Sequence, residues 1–197
     1  MYKNYLVLVY MQNDFLGGCL SVEDYKRVID NTTTLFEEFQ FDSIICTLDT
    51  HRENYLDTRE GKHLPVKHCI KDTDGHKLVK PIYDSLYSQP HVEYIEKNSF
   101  APDQTALFKV FRDFDREDKI FVCGVCTDIC VISTALQLMN MFQETEIYLI
   151  EPCCAGTDTE NHEHALHVME SCQINIVDDF TILKANHPRL RLLKLNY

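Results

Sequence analysis

The sequence predicts an α/β fold, doubly wound, with a mainly parallel six-stranded sheet and helices on both faces. Three observations lead there. Short β-rich runs alternate with helical patterns along the 197 residues. Several runs are continuously apolar, as strands are when helices cover both faces of a sheet. Hydrophobic residues make up 45% of the chain, enough for one sizeable core, and no repeat, low-complexity tract or linker divides residues 1–197.

Taken in order, the apolar run Tyr5–Tyr10 predicts the first strand, and Val22–Phe39 the first helix, with Ser21 as N-cap. Ser43–Leu48 is the second strand. Thr50 to Pro81 is polar, holds Pro and Gly, and reads as a long irregular loop of the kind that carries function. A helix over Ile82–Gln89 leads to a strand at Val92–Glu96. Asp103, with Pro102 before it, caps a helix over Gln104–Phe114. Lys119–Val125 is a strand that turns through Gly124 and Thr127-Asp128 into a helix over Ile129–Phe142. A strand at Glu146–Ile150, a helix over Thr159–Ser171 and a strand at Ile174–Val177 complete the pattern. The tail Arg189 to Tyr197 alternates Leu with Arg, Lys and Asn and reads as an edge strand or a subunit contact.

Composition excludes several classes of partner. A net charge of −12 argues against nucleic acid and anionic membranes, which need basic patches, and favours a small neutral or cationic ligand. No apolar run approaches the roughly 18 residues of a membrane span, and the start leads into a strand rather than a signal peptide, so a cytoplasmic location is expected. Nine cysteines lie mostly in apolar strands and helices, which predicts reduced thiols, with Cys46, Cys123 and Cys172 as packing residues.

Ligands in such folds bind beyond the carboxyl ends of the strands, so the strand exits hold the candidate site. Cys130 lies where the fourth strand turns into a helix. A thiol there sees the helix's unpaired N–H groups and the positive end of its dipole, which favour thiolate and can hold an oxyanion. At the exit of the second strand, Asp49 and His51 are two apart in extended chain and face one side. That is half a metal site, and Glu60 and His68, with His63 as a rival, would complete a two-His, two-carboxylate set suited to zinc, iron or manganese. Lys97, at the exit of the third strand, would place a cation near Cys130.

The ordered segments Met11-Gln12-Asn13-Asp14-Phe15, Asp49-x-His51, Lys97-x-Ser99-Phe100 and Gly124-Val125-Cys126-Thr127-Asp128-Ile129-Cys130-Val131-x-x-Thr134-Ala135 resemble the isochorismatase-like cysteine hydrolases, specifically the nicotinamidase branch. The resemblance runs from about Tyr5 to Phe180. It implies a three-layer, Rossmann-like fold and hydrolysis of a small amide, nicotinamide to nicotinate foremost. Cys130 would be the nucleophile, Lys97 the triad lysine, and the backbone amides of Cys126 and Cys130 the oxyanion hole, with a cis peptide at Val125–Cys126. Asp49, His51, Glu60 and His68 would hold one divalent metal, zinc first, on which a pyridine nitrogen can rest. Glu60 takes precedence over His63 because Asp57-Thr58-Arg59-Glu60-Gly61-x-x-Leu64-Pro65 resembles members with a glutamate ligand. Phe15 and Tyr55 would wall the ring pocket, and homo-oligomers are common in the family.

One position departs from the family. The aspartate that serves as general base at the end of the first strand is replaced by Tyr10. A phenol with an ordinary pKa near 10 does not readily accept a thiol proton at neutral pH. Asp14 would be the substitute, although a turn-stabilising role fits it better. The alternatives are therefore a catalytically impaired relative that binds a ligand or metal, and a metal-free hydrolase of the isochorismatase branch. A redox or iron–sulfur protein, raised by Cys123-x-x-Cys126-x-x-x-Cys130 and Cys153-Cys154, ranks below these because Cys123 falls in a strand. His162, His164 and His167 lack the spacing of a helical zinc motif and read as an exposed polar face.

Overall fold

The computed structural model describes residues 2–187 and 190. Among these residues six strands form one all-parallel sheet, β1 (Asn4–Val9), β2 (Ser43–Asp49), β3 (Val92–Lys97), β4 (Lys119–Val125), β5 (Ile147–Ala155) and β6 (Asn175–Val177), in the order β3-β2-β1-β4-β5-β6. Among the described residues seven helices pack around it in a three-layer arrangement: α1 (Tyr25–Glu38), α2 (Arg59–His63), α3 (Lys80–Leu86), α4 (Gln104–Val110), α5 (Ile132–Met141), α6 (Thr159–Ser171) and α7 (Phe180–Asn186). Among the described residues no helix is long and apolar enough to cross a membrane.

The core forms where the apolar runs predict it. Every residue of β1 is buried, as are Ile44 to Cys46 of β2 and Ile120 to Val125 of β4. Strand β1 lies between β2 and β4, and the two central strands approach closely at their carboxyl ends. Val9 pairs with Gly124, whose φ is 133°, and a Cβ on that glycine would collide with the Val9 carbonyl. Only glycine meets both conditions.

Several element ends differ from expectation. Ser21 does not cap α1; its hydroxyl accepts the Gly17 N–H and donates to the Val22 carbonyl, and the helix begins only at Tyr25. Asp103 does cap α4, accepting the Ala106 N–H at 3.0 Å, but that helix stops at Val110. Strand β5 continues past Ile150 through Pro152 to Ala155. Proline is tolerated because the β6 ladder ends with Ile150 opposite Val177, so no bond on that side is lost. Arg27 and Asn31 of α1 donate to the Pro152 carbonyl instead, at 3.0 and 2.7 Å.

The loop from Thr50 to Pro81 is more ordered than its composition predicts. It contains a 3-10 turn at Tyr55–Asp57, helix α2 and two isolated bridges, Gln12 with Leu78 and His51 with Ile70. Helix α7, capped by Asp179, is not predicted by the sequence pattern. Apart from Leu190, which is buried, the tail Arg189 to Tyr197 lies outside the described residues.

Candidate functional site

Strand order reverses between β1 and β4, and an open parallel sheet leaves a crevice at the carboxyl ends beside such a point. Asp49 ends β2 there and is held by Gln12. The Gln12 Oε1 accepts the Asp49 N–H at 2.8 Å, while Nε2 donates to the carbonyls of Asp49 at 2.9 Å and His76 at 2.8 Å. Two residues on, the His51 N–H donates to the Cys69 carbonyl at 2.9 Å, which brings His68 alongside. Glu60 arrives on α2, whose first turn is capped by Thr58.

These four side chains converge. The Nε2 atoms of His51 and His68 lie 3.1 and 3.3 Å from Asp49 Oδ2, and Glu60 Oε1 is 3.8 Å from His51 Nε2. One donor atom from each of Asp49, His51, Glu60 and His68 falls within 4.8 Å of all the others. Among the described residues, no other group of three or more His, Cys, Asp or Glu side chains does this. His63 is exposed and turned elsewhere, its Nδ1 2.8 Å from the Arg59 carbonyl.

The donor set fits a borderline divalent ion. Metal–ligand distances of about 2.0–2.2 Å separate donors by roughly 3.3–4.4 Å, so a small contraction closes the shell. The His68 Nδ1 lies 2.8 Å from the Val66 carbonyl, which can only accept. That partner fixes a proton on Nδ1 and turns Nε2 to the centre, where it donates to Asp49 while protonated and offers a lone pair to a metal once that proton leaves. Burial by itself would raise Asp49, but hydrogen bonds from His51 and His68, with their charges, outweigh it and hold the carboxyl at about 2. Burial and the neighbouring Asp49 push Glu60 up.

Cys130 occupies a π-helical turn, Thr127–Val131, entered through a cis Val125–Cys126 peptide. The Cys126 carbonyl accepts the N–H groups of Ile129 at 3.2 Å and Val131 at 3.1 Å, which curls the turn back on the end of β4. The thiol is buried beside the Tyr10 hydroxyl, to which it is hydrogen-bonded. Burial pushes the thiol above its ordinary value, Lys97 pulls it down, Asp49 and Cys126 raise it, and the Tyr10 hydrogen bond lowers it.

Lys97 ends β3 and is also buried. Its ammonium donates to the Tyr10 hydroxyl and to the carbonyls of Ser99 at 2.5 Å and Phe100 at 2.9 Å, so all three N–H bonds are used. Burial lowers it to about 8, while Cys130, Asp49 and Glu60 favour its charge.

Tyr10 follows β1 with φ at 52°, a left-handed conformation uncommon for a bulky residue. Its ring stacks on Phe15, with centroids 5.3 Å apart and 7° between planes. The hydroxyl lies 2.9 Å from the Ser99 carbonyl and 3.4 Å from Asp49 Oδ1. Burial, then Cys130 and Asp49, drive this phenol far above its ordinary value, so it stays protonated and acts as a donor. Asp14 is occupied elsewhere, with Oδ2 accepting the Cys69 N–H at 2.7 Å.

A cavity of about 390 Å³ opens beside His51 and Glu60, lined by Thr58, Arg59, Asn98, Ser99 and Phe100. Phe15 and Tyr55 lie behind the histidines. Phe15 meets His68 edge-on at 5.6 Å, and Tyr55 packs 4.6 Å from His51 and 4.9 Å from His68 while its hydroxyl donates to the Leu64 carbonyl. Phe100 is the aromatic residue that lines the cavity, and Gln12 is the residue that fixes Asp49. Both stand in the recognisable motifs, yet motif spacing assigns neither a task.

Of the helical histidines, His164 and His167 are exposed, but His162 is buried where α6 meets the cysteine turn. All nine cysteines are free thiols, and Cys123 is hydrogen-bonded to Cys153 inside the sheet rather than grouped with Cys126 and Cys130.

The profile of the isochorismatase domain matches residues 4–179. An uncharacterised isochorismatase family protein of Bacillus subtilis, PncA, is 28% identical over 172 residues, covering 83% of this chain and 92% of its own. The nicotinamidase of Saccharomyces cerevisiae is 24% identical over 216 residues, covering 88% of this chain and 98% of its own. Among solved structures, the pyrazinamidase of Pyrococcus horikoshii in complex with zinc superposes with a TM-score of 0.72 at 27% identity, over 90% of this chain and 99% of that one.

Proposed function

The chain belongs to the isochorismatase domain family, and from there we propose that it is a metal-assisted cysteine amidohydrolase of nicotinamidase type, working slowly on a small amide, nicotinamide first. One observation carries this reading. Cys130 and Lys97 lie within electrostatic reach of each other and of Asp49, one of the four convergent donors Asp49, His51, Glu60 and His68, at the strand ends beside the reversal of strand order.

In this reading the Cys130 thiolate attacks the carboxamide carbon, a C–S bond forms, and the carbonyl electron pair moves to oxygen. The backbone amides of Cys126 and Cys130 hold that oxygen. Collapse breaks the C–N bond, ammonia leaves with the proton the thiol gave up, and water then cleaves the thioester to the acid and restores the thiol. Lys97 supplies positive charge beside the sulfur, and Tyr10 supplies a hydrogen-bond donor to it. A divalent ion held by the four donors, zinc before iron or manganese, would anchor a pyridine nitrogen through its Lewis acidity. The cavity beside His51 and Glu60 admits a ring of that size.

Slowness follows from Tyr10. A protonated phenol stabilises thiolate but does not take the proton that forms it, and a missing general base forfeits about 10²–10⁴ in rate. The same observation favours a second reading, a ligand-binding relative without turnover. Ammonia release from nicotinamide by the zinc-loaded protein separates the two. Turnover that disappears in Cys130→Ala supports the first reading; an inert wild type that gains turnover as Tyr10→Asp supports the second.

A further inference from the structure

We propose that His162 is a positioning residue for the turn that carries the thiol, an inference that rests on the reading of Cys130 as nucleophile. His162 is buried near the start of α6 and bridges two partners. Its Nδ1 is 2.9 Å from Thr127 Oγ1, and its Nε2 is 3.5 Å from Glu151 Oε1. A carboxylate only accepts, so the proton sits on Nε2 and Nδ1 accepts from the Thr127 hydroxyl.

The next residue of the turn is held by the same connection. The Asp128 carboxylate accepts the Thr157 N–H at 2.8 Å and the Thr157 hydroxyl at 2.6 Å. Gly156 lets this connection come close: a Cβ there would lie 2.9 Å from His162 Cβ and 3.0 Å from Asp128 Oδ1. Two consecutive residues between Cys126 and Cys130 are thus tied, one to α6 and one to the segment that joins it to β5.

A carboxylate, an imidazole and a hydroxyl in line also describe an activated nucleophile. Thr127 is fully buried, so here the chain orients rather than attacks. What it orients is the turn whose amides would hold the oxyanion, where donor placement matters to a fraction of an ångström.

The test uses pyridine-3-carboxaldehyde, which adds the Cys130 sulfur to its carbonyl carbon while the thiol proton passes to oxygen. This reversible adduct reads the turn without turnover, and calorimetry measures its affinity. His162→Asn can put its amide oxygen, an acceptor, near the place of Nδ1, whereas His162→Gln reaches toward the place of Nε2 and loses the contact to Thr127. We expect His162→Gln to weaken the aldehyde about tenfold and His162→Asn to recover most of that loss, as one buried hydrogen bond warrants. Thr127→Val removes the same bond from the other side and should match His162→Gln, should the glutamine variant fold poorly. Equal affinity in wild type, His162→Gln and Thr127→Val overturns the positioning role, as does equal weakening by Asn and Gln. A wild type whose aldehyde binding is unchanged by Cys130→Ala overturns the nucleophile reading itself, and the inference with it.

Discussion

The Tyr10 hydroxyl lies 3.4 Å from Asp49 Oδ1, so one phenol joins the thiol to the four-donor group. It is also the acceptor for Lys97 and the hydrogen-bonding neighbour of Cys130. The residue that stands where the sequence resemblance expects an aspartate therefore lies at the centre of the site.

Replacing Tyr10 by Asp should raise turnover and lower stability together. A carboxylate beside Cys130 supplies the missing base, a gain of about 10²–10⁴ in rate. Aspartate also tolerates the left-handed φ of 52° better than tyrosine does. Loss of the buried ring and its stack on Phe15 should still cost about 3 kcal/mol, or roughly 6–12 °C in Tm. Ammonia release and a melting curve on the same preparation check both halves; unchanged turnover would remove Tyr10 as the cause of slowness.

Metal binding should depend on Glu60 and not on His63. Glu60 belongs to the convergent group, while the His63 ring faces the Arg59 carbonyl. After zinc reconstitution and dialysis, elemental analysis should find about one ion per chain in wild type and His63→Ala, and strongly reduced metal in Glu60→Ala and His68→Ala. Chelation should lower Tm, because an ion at a hundred times its Kd adds about 2.7 kcal/mol to the folded state. Retention of zinc by His68→Ala would contradict the assignment.

Burial of Lys97 predicts a pH dependence of known sign. Its folded value of about 8 lies below the ordinary 10.5, so between these values the unfolded chain binds more protons. Stability from this group is therefore complete above about 10.5 and is lost as pH falls through 8. Lys97→Met removes the effect, so its stability advantage over wild type should be largest at pH 7 and shrink by about 3 kcal/mol on going to pH 10.5. Urea denaturation of both proteins across that range measures it; a constant difference would mean that Lys97 is not held in a desolvated site.

Thiol labelling should follow exposure and charge. Cys19 is exposed, whereas Cys130 is buried with its thiol pushed up. Iodoacetamide at pH 7 should modify Cys19 first, with Cys130 slower and slower still in Lys97→Met, where the cation that favours thiolate is gone. Peptide mapping over time checks the order. Faster labelling of Cys130 in Lys97→Met would reverse the role given to the lysine.

The parts of the fold and site visible in the sequence are those set by local pattern. Continuous apolar runs mark β1 and β4, and residues at strand ends mark Asp49, Lys97 and the turn to Cys130, because the parallel sheet brings all these ends to one edge. What stayed hidden depends on tertiary contact. Strand β5 runs through Pro152 because its outer neighbour has already ended, and His162 is buried because Thr127, 35 residues away in sequence, meets it. Periodicity also says nothing of the link between Tyr10 and Asp49, since one follows β1, the other ends the adjacent β2, and they meet only at the strand exits.

The most direct measurement is ammonia release from nicotinamide by the zinc-loaded protein, with Cys130→Ala as its pair. Slow release in the wild type and none in the variant is the predicted result. No release from either protein, or release that survives the loss of Cys130, would contradict it.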